Sequence, residues 1–237
     1  MKNKSLVVAK TNLRNIKIAC IITAIVIGCV LLQDIVMLIL DRANVFSNPG
    51  GNMTVSIGNY FFLLIILGAA LIPTLNFRKM LNLGAKRSDF FNGCFVTYAI
   101  MSAAVSLLCI ILYYTYDSYM TSLSYRGGTM DVLYWFGWID NGAVIAFLQM
   151  FAFLFLFAAF VHTLFAAQDK WYGWVADILI IAIISVFIPI APLRASLVWF
   201  FNLIIFNSNA FMQITCCLIL AIAIYSLNKP ILARKAI

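Results

Sequence analysis

Three ionisable side chains lie within long apolar runs of this sequence, and their chemistry needs an explanation first. Asp34 interrupts the run 18–40, and His162 and Asp177 lie in two later runs. If these runs cross a membrane, each charge is costly unless it is paired or hydrated. Two interpretations of Asp34 stay open: its carboxylate lines a hydrated substrate path, or the run ends early and the carboxylate meets water at the lipid headgroups.

His162 and Asp177 occupy neighbouring runs at a similar depth. This placement predicts a structural hydrogen bond between the imidazole and the carboxylate, which we favour over a proton relay. His162 is the single histidine of the chain, so a multi-histidine metal or haem site is not expected.

Motifs of common catalytic and nucleotide-binding sites are missing. The chain has no Glu, which excludes a HExxH zinc site, and it contains neither a GxxxxGKS/T loop nor a GxSxG elbow. ATP therefore cannot be bound here by a P-loop, and no hydrolase nucleophile stands out. We expect no enzymatic activity, no cofactor and no metal in this chain.

Composition defines the class of protein. The 237 residues are 65% hydrophobic and 10% charged, which is more apolar surface than a soluble core buries. The net charge of +8 comes from short basic segments beside the apolar runs, and no basic groove with base-stacking aromatics is visible. The sequence therefore predicts a polytopic protein in contact with a lipid bilayer, without a nucleic-acid partner.

One densely charged segment, residues 76–90, separates two of the apolar runs; it is named the basic segment below. Its cations interleave with apolar residues at spacings of three and four, which predicts a short helix with one apolar and one cationic face. The residues expected to contact a partner are Phe77, Arg78, Lys79, Met80, Leu83, Gly84, Ala85, Lys86, Arg87, Ser88 and Asp89.

Gly84 is expected to end this helix in a left-handed conformation. Ser88 or Asp89 is expected to cap the next helix, which begins near Phe90, because a side-chain oxygen accepts the free N–H groups of a first turn. The basic segment is thus predicted to be a helix, a glycine turn and a capped second helix at the membrane surface.

The apolar runs that position these residues predict an all-α fold in one transmembrane domain, residues 1–237. Six runs are read as spans: 18–40, 58–75, 91–115, 143–165, 172–190 and 210–227. The run 195–206 has only about half of the roughly 20 residues that a crossing helix needs. It is predicted to be a re-entrant or interfacial helix on the outer side.

Basic residues indicate the orientation of these spans. Thirteen of the sixteen Lys and Arg residues fall on one side, and only Arg42, Arg126 and Arg194 fall on the other. The positive-inside rule therefore predicts that both termini are cytoplasmic. The turn-rich residues 41–57 are expected to form an outer loop.

The layout resembles the permease subunits of ATP-binding-cassette exporters of the drug, polysaccharide and peptide-export type. The local match is FRKM at residues 77–80 followed by NLGAKRSDFF at residues 82–91, which is similar to the lxlGxxRxdF segment of bacterial members. Length and layout are also similar to the small permeases of bacterial exporters for phenol-soluble modulins and related amphipathic peptides. The topological resemblance covers nearly the whole chain, whereas the sequence resemblance is strong only over this segment.

This resemblance implies how the work is divided between subunits. The basic segment would be a coupling helix that docks on a separate ATPase, present in two copies, which binds ATP and Mg²⁺. Two permease chains, expected to be a homodimer, would enclose the path of an amphipathic peptide, drug or lipid-like substrate. The outer re-entrant helices would cap this path, and the complex would lie in the bacterial cytoplasmic membrane.

Two other classes of function stay open. A secondary transporter would show broken midplane helices and paired charges in inverted repeats, and the sequence shows no such repeat. A non-transporting membrane scaffold or immunity protein is the third reading. A neighbouring ATPase gene would favour the exporter over both.

Overall fold

The structure, a computed structural model, describes residues 4–43, 52–122 and 126–234, which are mostly helical. The elements of the first half are α1 (Lys4–Asn15), α2 (Lys17–Arg42), β1 (Asn52–Val55), α3 (Ile57–Tyr60), α4 (Phe62–Leu71), a π-helical segment (Ile72–Asn76), α5 (Phe77–Asn82) and α6 (Arg87–Leu112). The elements of the second half are a second π-helical segment (Tyr113–Asp117), α7 (Ser118–Thr121), β2 (Arg126–Met130), α8 (Val132–Trp135), a 3-10 turn (Ile139–Asn141), α9 (Ala143–Ala167), α10 (Trp171–Phe187), α11 (Ala191–Ile204), α12 (Ala210–Ser226) and α13 (Asn228–Arg234).

Five helical stretches in the described residues are long and apolar enough to cross a membrane, and the pair α10–α11 makes a sixth if it counts as one span. The five stretches are Lys4–Leu40, Ile57–Asn82, Arg87–Met120, Ala143–Ala167 and Ala210–Ala233. The chain is therefore an all-α polytopic membrane protein in its general class. The number of crossings and the orientation of the termini stay predictions.

The predicted fifth span and outer helix differ in detail from the structure. α10 has 17 residues and turns by 116° into α11. α11 begins at Ala191 rather than at the predicted residue 195, because Pro192 fits the first turn of a helix, where its missing N–H breaks no bond. Most of both helices is exposed, with Gly173 buried in α10 and Ile204 buried in α11.

The core lies between four helices, with α9 in contact with α4, α6 and α12. Along α9, the small residues Ala152, Ala158 and Ala159 are almost completely buried. Small side chains let helix backbones approach closely, which is how helices choose partners in a bilayer. The same logic applies where α1 packs along α6, since a Cβ added at Gly93 would lie 2.6 Å from Val8.

The bundle has two chemically different ends. The basic end holds α1, the turn between α5 and α6, and α13, which packs against α6 and α9. The opposite end holds β1, β2, α8 and the loop between α11 and α12. These three elements carry Lys4, Lys10, Arg14, Lys86, Lys229 and Arg234, all of which were predicted to share one side. Lys2 and Lys235 are outside the described residues.

The predicted outer loop 41–57 contains a strand that its turn-rich sequence does not indicate. β1 pairs in parallel with β2 from Asn52 to Val55. The pairing partners of β1 lie in a different loop of the chain, so short-range sequence does not indicate this strand. The position of the loop on the outer side stays a prediction. Residues 44–51 of the predicted loop lie outside the described residues.

Candidate functional site

A glycine ends the first helix of the basic segment, as predicted. Gly84 has a φ of +83°. Its N–H donates to the Leu81 carbonyl at 2.9 Å, and the Ala85 N–H donates to the Met80 carbonyl at 3.1 Å. These two bonds form a Schellman motif, which fixes the direction of the chain after the helix. The left-handed turn predicted at Gly84 is confirmed.

α5 has a buried face that fastens it to the rest of the chain. Phe77 is fully buried, and its ring meets that of Phe90 edge to face with 5.2 Å between centroids. Met80 is also buried. These apolar side chains therefore anchor α5 within the chain, so they are not available to a partner, although the sequence analysis included both among the contact residues.

The exposed side of the same segment combines one apolar and three cationic side chains. Leu83 is 72% exposed at the turn, and Arg78, Lys79 and Lys86 are exposed around it. These four residues are named the turn surface. Their exposure leaves them open to contact with another protein.

α6 begins earlier than expected, and the cap prediction is wrong. The residue preceding the helix is Lys86, which has an extended backbone and makes no side-chain cap hydrogen bond. Ser88 and Asp89 lie within the first turn instead. After the Schellman motif the backbone is extended at Lys86, so α6 starts at the next residue, Arg87. Asp89 in the first turn complements the positive end of the helix dipole.

Arg87 connects the start of α6 to the C-terminal helix. Its guanidinium donates to the Ala233 carbonyl in the last turn of α13, one of the carbonyls that a helix end leaves without an intrahelical donor. Beside it, the Lys229 ammonium lies 5.4 Å from the centre of the Phe91 ring. Arg87 therefore serves a contact within the chain, in addition to any contact with a partner.

Buried asparagines connect α1 to the start of the basic segment. Asn76, the last residue of the first π-helical segment, donates to Asn12 at 3.3 Å and accepts from Asn15 at 3.5 Å. Asn12 is fully buried and also contacts the Cys94 sulfur at 3.5 Å. The sequence analysis missed this connection, although two asparagines three residues apart share one face of a helix.

Asp34 lies on the inward side of α2, in a helix that is otherwise mostly exposed. The residue is 4% exposed, and Tyr116 donates a hydrogen bond of 2.7 Å to its carboxylate. α2 continues beyond it to Arg42, so the helix does not end early at this point. Whether Asp34 lines a substrate path stays a prediction.

His162 and Asp177 both have hydrogen-bond partners that the sequence analysis did not name. His162 is fully buried, and its Nδ1 lies 2.6 Å from the Tyr98 hydroxyl. Asp177 accepts from the Gln168 amide at 2.5 Å. The predicted bond between the two residues, and its structural role, stay predictions.

A buried neutral network at the opposite end was also missed. Asn141 donates to Gln149 at 3.2 Å, Gln149 donates to Gln213, and Gln213 donates to the Ile204 carbonyl at 3.0 Å. Gln149 and Gln213 are 1% and 0% exposed. The network fastens the end of α11 to α9 and α12. An available signal was the isolated Gln in each of two apolar runs, since an intramembrane polar side chain usually bonds across helices.

The opposite end also buries acidic side chains next to Ser56. The Ser56 hydroxyl donates to Asp117 at 2.6 Å, and Asp131 caps α8 by accepting from the Leu133 N–H at 2.6 Å. Burial raises the pKa of Asp131 above its ordinary value, because desolvation outweighs the hydrogen bonds that favour its charged form. Within the described ranges, no group of three or more His, Cys and Asp residues could hold a metal ion.

Comparisons of the chain with protein-family models, with curated proteins and with solved structures found no match. The resemblance to exporter permeases therefore rests on the residues and the layout of this chain alone.

Proposed function

We propose that this chain is the permease subunit of an ATP-binding-cassette exporter in a bacterial cytoplasmic membrane. Two copies of the chain enclose the path of an amphipathic peptide, drug or lipid-like substrate. Separate ATPase subunits, one for each copy, bind ATP and Mg²⁺ and supply the energy, since the sequence has no phosphate-binding loop.

The observation that carries this proposal is the way in which the turn surface is supported. Its backbone is held by the Schellman motif, and α5 beneath it is anchored by Phe77 and Met80. Leu83 and the surrounding cations nevertheless stay exposed. A loop that only satisfies the positive-inside rule needs no such anchor, whereas a surface that passes on a displacement does.

Connections from the basic segment to neighbouring elements support the same function. Asn76 joins the segment to α1 through Asn12, and Arg87 joins it to α13. The ring of Phe77 rests on Phe90, which is the first apolar residue of α6. A displacement of the basic segment would therefore be transmitted to α1, α6 and α13 through direct contacts.

Apolar surfaces on α2 and α10 support the proposed surroundings. Ile25 and Leu32 of α2 are more than half exposed, as are Ile178 and Ile181 of α10. Exposed aliphatic surface of this extent is stable against lipid or against a second apolar chain, and not against water. In the proposed complex, these apolar surfaces would contact the bilayer and a second permease copy.

Site-specific photocrosslinking in the native host tests the proposal. A photoreactive residue at position 83 should attach the chain to a protein whose sequence contains a GxxxxGKS/T loop. The matched control is position 134 at the opposite end, where Tyr134 is 64% exposed; it should give no such product.

Transport measurements separate the proposal from the other classes. Export that stops when ATP is depleted, together with the ATPase crosslink, supports it. Export that stops with a protonophore at constant ATP and shows no ATPase crosslink would identify a secondary transporter. A chain with neither the crosslink nor measurable export would be a scaffold or immunity protein.

A further inference from the structure

A small cleft lies at the basic end, beside the turn surface and lined by none of its four residues. It lies between the start of α6 and α13 and is lined by Arg87, Ser88, Phe91, Lys229, Leu232 and Ala233. Phe91 and Leu232 form an apolar wall of the cleft. The lining has two charged residues, Arg87 and Lys229, and both are cations.

Contacts within the chain hold these walls in place. The Tyr225 hydroxyl donates to the Phe91 carbonyl at 2.7 Å, and Leu232 is 1% exposed. The Lys229 ammonium lies 5.4 Å from the centre of the Phe91 ring, and Lys229 is an exposed residue. The lining of this largely apolar cleft therefore combines Phe91 and Leu232 with the polar residues Arg87, Ser88 and Lys229.

The position of the cleft decides which ligand fits it. α6 carries no Lys, Arg, Asp or Glu after Asp89, so Phe91 marks the level beyond which this helix has no charged side chain. At that level, the group that combines a negative charge with an apolar body is an anionic phospholipid. Basic pockets between helices at a cytoplasmic membrane face bind such headgroups.

We infer that this cleft is a binding site for one anionic phospholipid, with its phosphate between Lys229 and Ser88 and its apolar part against Phe91 and Leu232. The site does not depend on the proposed exporter function. An occupied cleft ties α13 to the membrane surface beside the basic segment, because the lipid contacts residues of both α6 and α13.

Native mass spectrometry of the purified full chain in detergent tests the site. Phosphatidylglycerol and phosphatidylcholine with the same acyl chains are added at equal concentration. We expect one retained phosphatidylglycerol per chain under conditions that remove phosphatidylcholine. Lys229→Gln should lower this retained fraction about fivefold, which is the typical effect of one cation near an anionic lipid.

Three comparisons make the result decisive. Lys229→Arg should keep the lipid, and Lys86→Gln, which removes the same charge from an exposed lysine outside the cleft, should keep it too. An unchanged melting temperature of Lys229→Gln ensures that any loss is local.

Equal retention of the two lipids, or equal losses in Lys229→Gln and Lys86→Gln, would overturn the inference. Displacement of the lipid by millimolar inorganic phosphate would do so as well, because the site would then bind free phosphate.

Discussion

The opposite end and the turn surface differ in where they put their polar groups. At the opposite end, Gln149, Gln213 and the Trp138 N–H are buried and bonded to partners within the chain. At the turn surface, the backbone is bonded internally while the side chains of Leu83 and Lys86 face outward. The buried polar groups of the opposite end are bonded within the chain. The turn surface has a fixed backbone but exposed side chains, which is the arrangement that a docking surface needs.

Removing the largest buried side chain of the opposite end should have the largest effect on stability. Trp138 is 1% exposed, and its N–H donates to the Ile205 carbonyl at 2.9 Å. Trp138→Ala should lower the free energy of unfolding by about 3–5 kcal/mol, through the cavity and the lost bond. Leu83→Ala at the turn surface should change it by less than about 0.5 kcal/mol. Denaturation of the purified chain in detergent measures both, and similar losses would remove the contrast between the regions.

The neutral network should behave as one unit. Gln213→Leu removes the acceptor of the Gln149 NH2 group and one donor to the Ile204 carbonyl, which should lower the free energy of unfolding by about 1–3 kcal/mol. The double variant Gln149→Leu with Gln213→Leu should regain part of this loss, because fewer buried amides then lack a partner. The same denaturation experiment measures it, and simple additivity of the two single losses would contradict a coupled network.

At the turn surface, backbone conformation should matter more than side-chain packing. A Cβ at Gly84 would meet no atom within 4 Å, but the φ of +83° strains any L side chain. Gly84→Val should therefore cost about 1–2 kcal/mol, and Gly84→Asn should cost less, since Asn tolerates this conformation.

Membrane insertion of the Gly84→Val chain should stay intact, while co-purification of the proposed ATPase weakens. Normal insertion, ATPase binding and export in both Gly84→Val and Leu83→Asp would show that the segment is an ordinary loop.

Asp131 gives the stability of the opposite end a dependence on pH. The pKa of Asp131 is raised in the folded chain, so its contribution to stability is fully present below the ordinary Asp pKa of about 3.9 and is lost as pH rises through the raised value. Asp131→Asn should remove this part of the dependence while still capping α8. Unfolding of both chains across pH measures the difference, and parallel profiles would contradict it.

Leu83→Asp should have the smallest effect on stability among these variants and the most specific effect on the proposed function. Leu83→Asp puts a charge on a side chain that is 72% exposed, so the free energy of unfolding should change by less than about 0.5 kcal/mol. In the proposed complex, the same carboxylate would enter an apolar contact and reduce ATPase co-purification. Tyr134→Asp, at the opposite end, is the matched control and should leave co-purification unchanged.

Local patterns predicted much of the fold and part of the candidate site. The predicted spans 143–165 and 210–227 correspond closely to α9 and α12, because the length of an apolar run is a property of contiguous residues. The cap of α6 was predicted wrongly, since Ser88 and Asp89 are good cap residues by type while the preceding turn already sets the start of the helix. Local preference was overruled there by the geometry of the neighbouring turn.

The sequence by itself determined the membrane class, the apolar helices, the uneven distribution of cations and the left-handed Gly84. Each of these follows from residue type and short-range spacing. Only the tertiary structure decided that Met80 is an anchor while Leu83 is exposed, and that Asn12 meets Asn76 and Gln149 meets Gln213. The members of each of these pairs are 64 residues apart, and no local preference specifies which of many helix faces will meet. In a bilayer that choice comes from close packing and from the need of every buried polar group for a partner.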